Sequence, residues 1–321
     1  MRKRSIALGF IALVIGSCAI AADASYPTKP LRLLVASGTG GGLDFVARLI
    51  GPALTEELGQ SIIVDNRPGA GGDIAVELTA RAAPDGYTMV FLSASTVVRA
   101  ALYDTRYDLF KDFTPVSEVT AGPYVLIAYP GLGIKTVSEL IAYAKANPGK
   151  LNYSSTGNGT LIHLAGEFFK VTTGASVVHV PYKGVGAALP ELLAGQIQFT
   201  FNSLAPSLPL IRSNRVRPLA VASAQRTKVA PELPTMIEAG VPGFVVTQWH
   251  GMLAPSATPR AIPDRLYASI MRALARSDVA SRLMQDGTDA VGSSSQQFAA
   301  HLKSEYERWK SVIKKAGLRA E

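Results

Sequence analysis

One cysteine, four histidines and two tryptophans are all that 321 residues contain of those types, and each scarcity removes a class of protein. A lone cysteine, Cys18, leaves no intramolecular disulfide framework to staple a small fold. His179, His250 and His301 show no metal-ligand spacing, and no H-E-x-x-H segment exists. Hydrolase signatures are missing as well. There is no G-x-S-x-G elbow, and Ser154, Ser155 and His163 do not form a recognisable triad unit. Glu167 shares a helical face with His163, a spacing that fits a structural contact better than an acid/base couple. No Walker loop is present, and no dense Lys/Arg run interleaves with aromatics, so nucleic acid is not an expected partner. No catalytic residue, metal ligand or cofactor is assigned.

What is present begins with an export signal. MRKRSIALGFIALVIGSCAIAADA has a basic start, an apolar run from Ile6 to Ile15 and then small residues. That run is too short to span a bilayer comfortably. Cleavage after Ala21 or Ala24 yields a soluble exported chain. Ile15-Gly16-Ser17-Cys18 also reads as a lipobox, which would anchor the chain through a lipid on Cys18. Either way residues 1–24 stand outside the fold and the protein is expected in the periplasm. The formal charge of +8 falls to +5 without Arg2, Lys3 and Arg4, a dispersed excess with a weak bias toward small anions.

With 48% apolar residues the rest can bury a large core, and its length suits two domains. Short apolar runs alternate with helical periodicity, the order of an α/β architecture. Strands are expected at 31–36, 61–64, 87–92, 125–129, 151–154, 176–180, 196–201 and 217–222. Helices are expected at 43–58, 73–82, 137–146, 161–172, 186–193, 208–213, 262–275, 278–286 and 295–316. A strand–glycine loop–helix unit occurs twice, as ASGTGGGLD after Val35 and as SSTGNGTLIH after Tyr153.

Glycine loops of this kind often hold anions, or else simply make a tight strand-to-helix connection; an anion held here would not be a nucleotide phosphate. Gly38 and Gly40 fit a dinucleotide fingerprint and Asp65 ends the next strand, but Leu43 occupies the third glycine position. A carboxylate fits better. The first turn of a helix offers unpaired N–H groups and the positive end of its dipole, with no Arg or Lys required. Two such helix tips facing across a cleft would couple binding to closure. Asp44 sits where it either caps those N–H groups or meets a ligand donor. Ser154, Ser155, Thr156, Asn158 and Thr160 bring short polar groups to the second loop, able to bond backbone or ligand. His163, one turn after Thr160, braces that loop.

These segments resemble the Bug/TctC family, the extracytoplasmic solute receptors of tripartite tricarboxylate transporters. The resemblance runs through GTGGGLDFVARLI, VDNRPGAGGDIAVELTARAAPDGYT, YDLFKDFTPVSEV, LNYSSTGNGTLIHLAGEFF, VHVPYKGVGAALPELLAGQIQ, PLAVASAQR, LPTMIEAGVPGF and GMLAPSATP, in that order. It implies an α/β, two-lobed periplasmic binding protein of type II, the Venus flytrap arrangement, with a ligand cleft between the lobes. Lobe one would hold 25–123 and 246–321, and lobe two 124–245, with crossings near Gly122–Tyr124 and Phe244–Thr247. By position the family's ligand contacts fall on Gly40, Gly41, Asp44, Ser154, Gly157, Asn158, Gly159, Thr160 and His163. Gly71 and Gly72 of the RPGAGG loop and Asn202 complete the candidate site. The implied function is capture of a small organic carboxylate by a monomer that delivers it to membrane permease subunits. Docking on a sensor-kinase ectodomain is the alternative.

The chain departs from the family pattern in informative places. Thr39 stands where the first loop commonly has proline, and Leu43 where it has a hydroxyl residue. Asn202 replaces an acid, which removes a partner for a ligand ammonium group. The expected ligand is therefore a carboxylate without an amino group, aromatic or alkyl if Leu43 and Leu161 line the cleft and do not pack inward.

Overall fold

A computed structural model describes residues 26–319. The export segment, with Cys18 and both cleavage points, lies outside them. In chain order the elements begin with β1 (Leu31–Val35), α1 (Gly42–Leu58), β2 (Ile62–Asn66), α2 (Asp73–Ala80), β3 (Thr88–Ser93), α3 (Ala94–Leu102), β4 (Phe113–Ala128), α4 (Val137–Ala146), β5 (Leu151–Ser155) and α5 (Leu161–Thr173). They continue through β6 (Val177–Pro181), α6 (Val185–Leu193), β7 (Phe199–Ser203), α7 (Leu204–Arg212), β8 (Arg217–Val221), β9 (Thr247–Pro255), α8 (Ala261–Ala275), α9 (Ser277–Gln285), β10 (Asp289–Ala290) and α10 (Ser295–Ala316).

The strands join one mixed sheet in the order β2-β1-β3-β9-β4-β7-β5-β6, with β8 and β10 also on β4. β1 pairs in parallel with β2 and β3, and β5 in parallel with β6 and β7. Such strands are covered on both faces, so LRLLV and LNYSS are buried almost throughout. α1 crosses over with Leu43, Val46, Ile50, Leu54 and Leu58 inward, a helical stripe that Gly59 ends in the left-handed conformation.

β4 ties the two parallel groups together. Its first part, Phe113–Pro123, pairs antiparallel with β9, and its second part, Tyr124–Ala128, with β7 and β8. The change of partner falls between Pro123 and Tyr124. Beside it, Tyr124 N–H donates to Val246 O and Val246 N–H to Ala222 O, so two chain segments run side by side at this point.

Four elements were not expected from the sequence: α3, β9, the short β10 and the first part of β4. FTPVSEVTAG carries Pro115, and β4 accommodates it with register shifts at Pro115/Ser117 and Glu118/Thr120. β9 is a central strand buried on both faces from Trp249 onward, so it shows no alternation. α3 follows β3 with no turn residue between them. The expected helix at 208–213 is longer, beginning at Leu204, and the one at 73–82 stops at Ala80.

α10 spans the join, packing on α3, β4 and α5. Its start is a capping box between Ser294 and Gln297. Trp309 meets Phe168 of α5, which stacks on Phe244 at 4.7 Å. Between α10 and β4 lies a buried acidic pair. Trp309 Nε1 (3.2 Å) and Arg308 (2.6 Å) hold Glu305, while the Glu118 carboxyl has, among the described residues, only His301 Nε2 at 3.9 Å. Burial, with repulsion from Glu305 added, raises the Glu118 pKa to about 7. A carboxyl whose folded pKa is raised stabilises the fold below the unfolded value near 4.5, and that contribution is lost as pH rises through 7. Glu118→Gln is therefore expected to raise the unfolding temperature at pH 8 by roughly 4–8 °C, corresponding to about 2 kcal/mol. At pH 4.5 it should change little. Differential scanning calorimetry at the two pH values checks this.

Candidate functional site

A cleft of about 780 Å³ opens where the two strand groups meet. Gly40–Gly42, Leu43, Phe45 and Val46, from the first loop and α1, form one wall. Thr156, Ile162, Val185, Asn202 and Ser203 form the opposite one. The floor is Gly122–Tyr124, Gln248 and His250, from β4 and β9. A second hollow of about 840 Å³, between residues 103–112 and α10, shares no lining residue with the cleft.

The first wall has the properties of an anion seat. Gly41 is the N-cap of α1 in extended conformation, and no side chain caps the helix there. The first-turn N–H groups have no carbonyl one turn earlier to receive them. Gly40, at φ +84°, turns the chain so that this tip faces the cleft, a conformation glycine adopts without strain. Asp44 is turned away from the cleft. Its carboxylate accepts from Gly40 N–H (2.9 Å), Arg48 Nε (2.9 Å) and Asn66 Nδ2 (2.9 Å), and it is 3% exposed. Burial alone would raise its pKa. The Gly40 amide, Arg48 and Asn66 outweigh that and hold it below the ordinary carboxylate value. Asp44 thus fixes the loop with its charge already neutralised by Arg48.

The floor is polar and uncharged. Tyr124 Oη donates to Gln248 Oε1 (2.9 Å), which directs the Gln248 NH2 toward His250 Nε2 at 3.4 Å. His250 Nδ1 lies 3.0 Å from Thr120 Oγ1. This chain assigns the proton to Nδ1 and the acceptor role to Nε2. Burial pulls the His250 pKa down to about 4, so the ring is neutral at physiological pH. Arg282 and Asp286, near the end of α9, are the charged residues of the lining; they pair at 3.7 Å, with Arg282 over Phe45. Hydrophobic side chains and prolines make up much of the remainder.

Three comparisons bear on this arrangement. Residues 46–318 match the model of the tripartite tricarboxylate transporter family receptor, TctC. The chain is 34% identical over 316 residues to the protein BugT of Bordetella pertussis, covering 97% of each chain. The chain belongs to this receptor family. Among solved structures it resembles a protein of R. palustris with adipate (TM-score 0.82, 35% identity, 92% of this chain and 99% of that one). It also resembles MatC from Rhodopseudomonas palustris with bound malate (TM-score 0.79, 33% identity, 90% and 100%). These neighbours share the two-lobed α/β fold of periplasmic binding proteins. Among the described residues no helix is long and apolar enough to cross a membrane.

Within this receptor the candidate residues are distributed unevenly. Gly40, Gly41 and Asn202 line the cleft. Ser154 lines a small pocket beside it. The second loop closes on itself. Gly157 N–H donates to Ser155 Oγ, and Gly157 O accepts from Thr160 Oγ1 at 2.8 Å. Gly159 N–H donates to His163 Nδ1, and Thr160 caps α5 by accepting from His163 N–H. His163 stacks on His179 with ring centroids 4.0 Å apart. The tip of α5 is thus capped by its own side chains, unlike that of α1. Asn158 is exposed, and Gly159 packs against Tyr103 and Leu102 at the end of α3. Gly71 and Gly72 also lie off the cleft: a Cβ on Gly71 would meet the Arg99 side chain, and one on Gly72 the Ala36 carbonyl at 2.8 Å.

Leu43 does reach the cleft wall, while Leu161 packs inward and Ile162 takes the lining position. Trp249 is buried against Phe298, whereas the neighbouring His250 faces the cleft. Tyr124, Gln248 and His250 escaped the sequence reading because only the pairing of β4 with β9 brings them together. Glu167, expected as a structural contact of α5, accepts from Tyr153 Oη and Lys170 Nζ, each at 2.8 Å.

Proposed function

We propose that this chain is a periplasmic receptor that captures a small organic carboxylate lacking an ammonium group and delivers it to the membrane permease of a tripartite tricarboxylate-type transporter. In this reading lobe one holds 25–123 and 246–321, lobe two holds 124–245, and the paired segments at Tyr124 and Val246 are the hinge. The observation that carries the proposal is the uncapped tip of α1 opening into a cleft whose other polar groups are mostly neutral. The ligand carboxylate sits on the first-turn amides, and the hydrophobic walls take its carbon skeleton. Asn202 supports the absence of an ammonium. Its Oδ1 accepts from Ser203 N–H at 3.0 Å, so the group it offers a ligand is the NH2, a donor suited to an acceptor. The two relatives solved with adipate and malate bind acids of the expected kind.

A thermal-shift screen, followed by calorimetric titration, tests this. Acids without an amino group, among adipate, malate, citrate, nicotinate and benzoate, are expected to supply the ligands. At a hundred times its dissociation constant a ligand adds about 2.7 kcal/mol, an upward shift of roughly 5–10 °C. Glutamate and aspartate should produce none. Stabilisation by the amino acids alone would overturn the reading.

A further inference from the structure

Of the buried hydroxyls around the second loop, one is left without a partner. Ser154, on β5, is 1% exposed, and its Oγ makes no hydrogen bond. Its neighbours are engaged elsewhere. Thr200 Oγ1 donates to the Ser154 carbonyl, Ser155 Oγ bonds within the loop and to His179, and Thr160 Oγ1 bonds Gly157 O. A buried hydroxyl with no partner costs free energy, so a group that satisfies it gains more than an average hydrogen bond.

Ser154 lines a pocket of about 10 Å³ between β5, β7 and the first turns of α5 and α6. That is room for one water-sized group. Thr156, Ile162, Val185 and Asn202 border both this pocket and the large cleft, so the small pocket is a side chamber of it. The rest of the lining is Ala188, Leu189 and Phe201, together with Ser155 and Thr200, whose hydroxyls are already bonded elsewhere. A carboxylate is too large for such a chamber, and a methyl would leave Ser154 unsatisfied. A hydroxyl fits in size and can both donate to and accept from Ser154.

Resting on the carboxylate reading above, we propose that the Ser154 chamber is a hydroxyl subsite, which makes the preferred ligand a hydroxy acid whose hydroxyl enters the chamber while its carboxylate occupies the tip of α1. Asn202, bordering both cavities, lies between the two groups. Ser154 then sets specificity among carboxylates without being needed to hold the carboxylate itself.

Calorimetric titration with matched pairs tests this: malate against succinate, lactate against propionate, 3-hydroxybutyrate against butyrate and mandelate against phenylacetate. In the wild-type protein at least one hydroxy acid is expected to bind roughly 10–30-fold more tightly than its deoxy partner. Ser154→Ala should remove most of that advantage while changing the deoxy acid less than about twofold. Ala188→Val, which fills the chamber and leaves Ser154 in place, should have the same effect. Equal loss for both members of a pair in Ser154→Ala, the signature of a bridging water or a structural role, would overturn the proposal. So would a wild-type protein indifferent to the hydroxyl in every pair. If no carboxylate of either kind binds, it is the carboxylate reading itself that fails.

Discussion

A Gly41→Asp variant is expected to bind its carboxylate ligand at least ~100-fold more weakly while unfolding at the same or a slightly higher temperature. The two effects have one cause. Gly41 is the N-cap of α1 in extended conformation, which an L-residue adopts freely. Aspartate is among the best N-cap residues, and replacing a glycine there gains a few tenths of a kcal/mol. Its carboxylate would bond the first-turn amides and so occupy the seat assigned to the ligand. Two carboxylates about 4 Å apart repel by about 4 kcal/mol at the effective dielectric of a partly buried site, more than the ~2.7 kcal/mol that a hundredfold loss requires. Isothermal titration calorimetry paired with a melting curve reads both. Unchanged affinity would place the ligand elsewhere.

Asp44→Ala is expected to behave in the opposite sense, as a stability lesion first. The side chain gathers Gly40 N–H, Arg48 and Asn66 and does not face the cleft. Its loss removes the charged acceptor that the Gly40 amide and Asn66 share, and frees Arg48, which is half exposed and recovers solvation. A cost of about 2–3 kcal/mol follows, or roughly 5–10 °C in unfolding temperature. Affinity should fall by about tenfold, through a loosened Gly40 turn. The gap in stability from wild type should narrow in acid. Asp44 has a depressed pKa, so its contribution is present above the ordinary aspartate value and is lost as pH falls through the lower folded one. A variant that melts like wild type yet loses binding more than ~100-fold would make Asp44 a direct ligand contact.

These two neighbours show what the sequence could convey. GTGGGLD announces a tight strand-to-helix turn, and its composition fits a plain connection as well as the proposed anion seat; the uncapped tip of α1 is what favours the seat. Whether Asp44 turns outward to the ligand or back to Gly40 depends on one side-chain rotation, and no spacing rule encodes it. The second loop looked equally rich in donors, yet Ser155, Thr160 and His163 engage its own backbone. Short polar side chains serve backbone and ligand with the same chemistry, so their presence leaves the choice open.

The fold was legible where local pattern decides structure. Parallel strands with crossover helices leave apolar runs and helical stripes, and β1, α1, β5 and α5 follow them closely. The first part of β4 and all of β9 were hidden because long-range pairing and not local pattern makes them strands. Pro115, Pro123 and Gly122 read as breaks, and Gly251 in β9 reads as a flaw. A Cβ on Gly251 would collide with the Phe298 ring, so this glycine is a packing requirement of α10 on the sheet. The cleft floor shares that invisibility: Tyr124 and Gln248 are 124 residues apart in the chain and 2.9 Å apart in space.

The most direct measurement is a crystal structure of the protein with the tightest-binding monocarboxylate from the screen. The account expects both lobes around the ligand and its carboxylate oxygens within hydrogen-bond distance of main-chain N–H groups among Gly41, Gly42 and Leu43. A carboxylate paired instead with Arg282 or another charged side chain, with those three amides facing water, would contradict it.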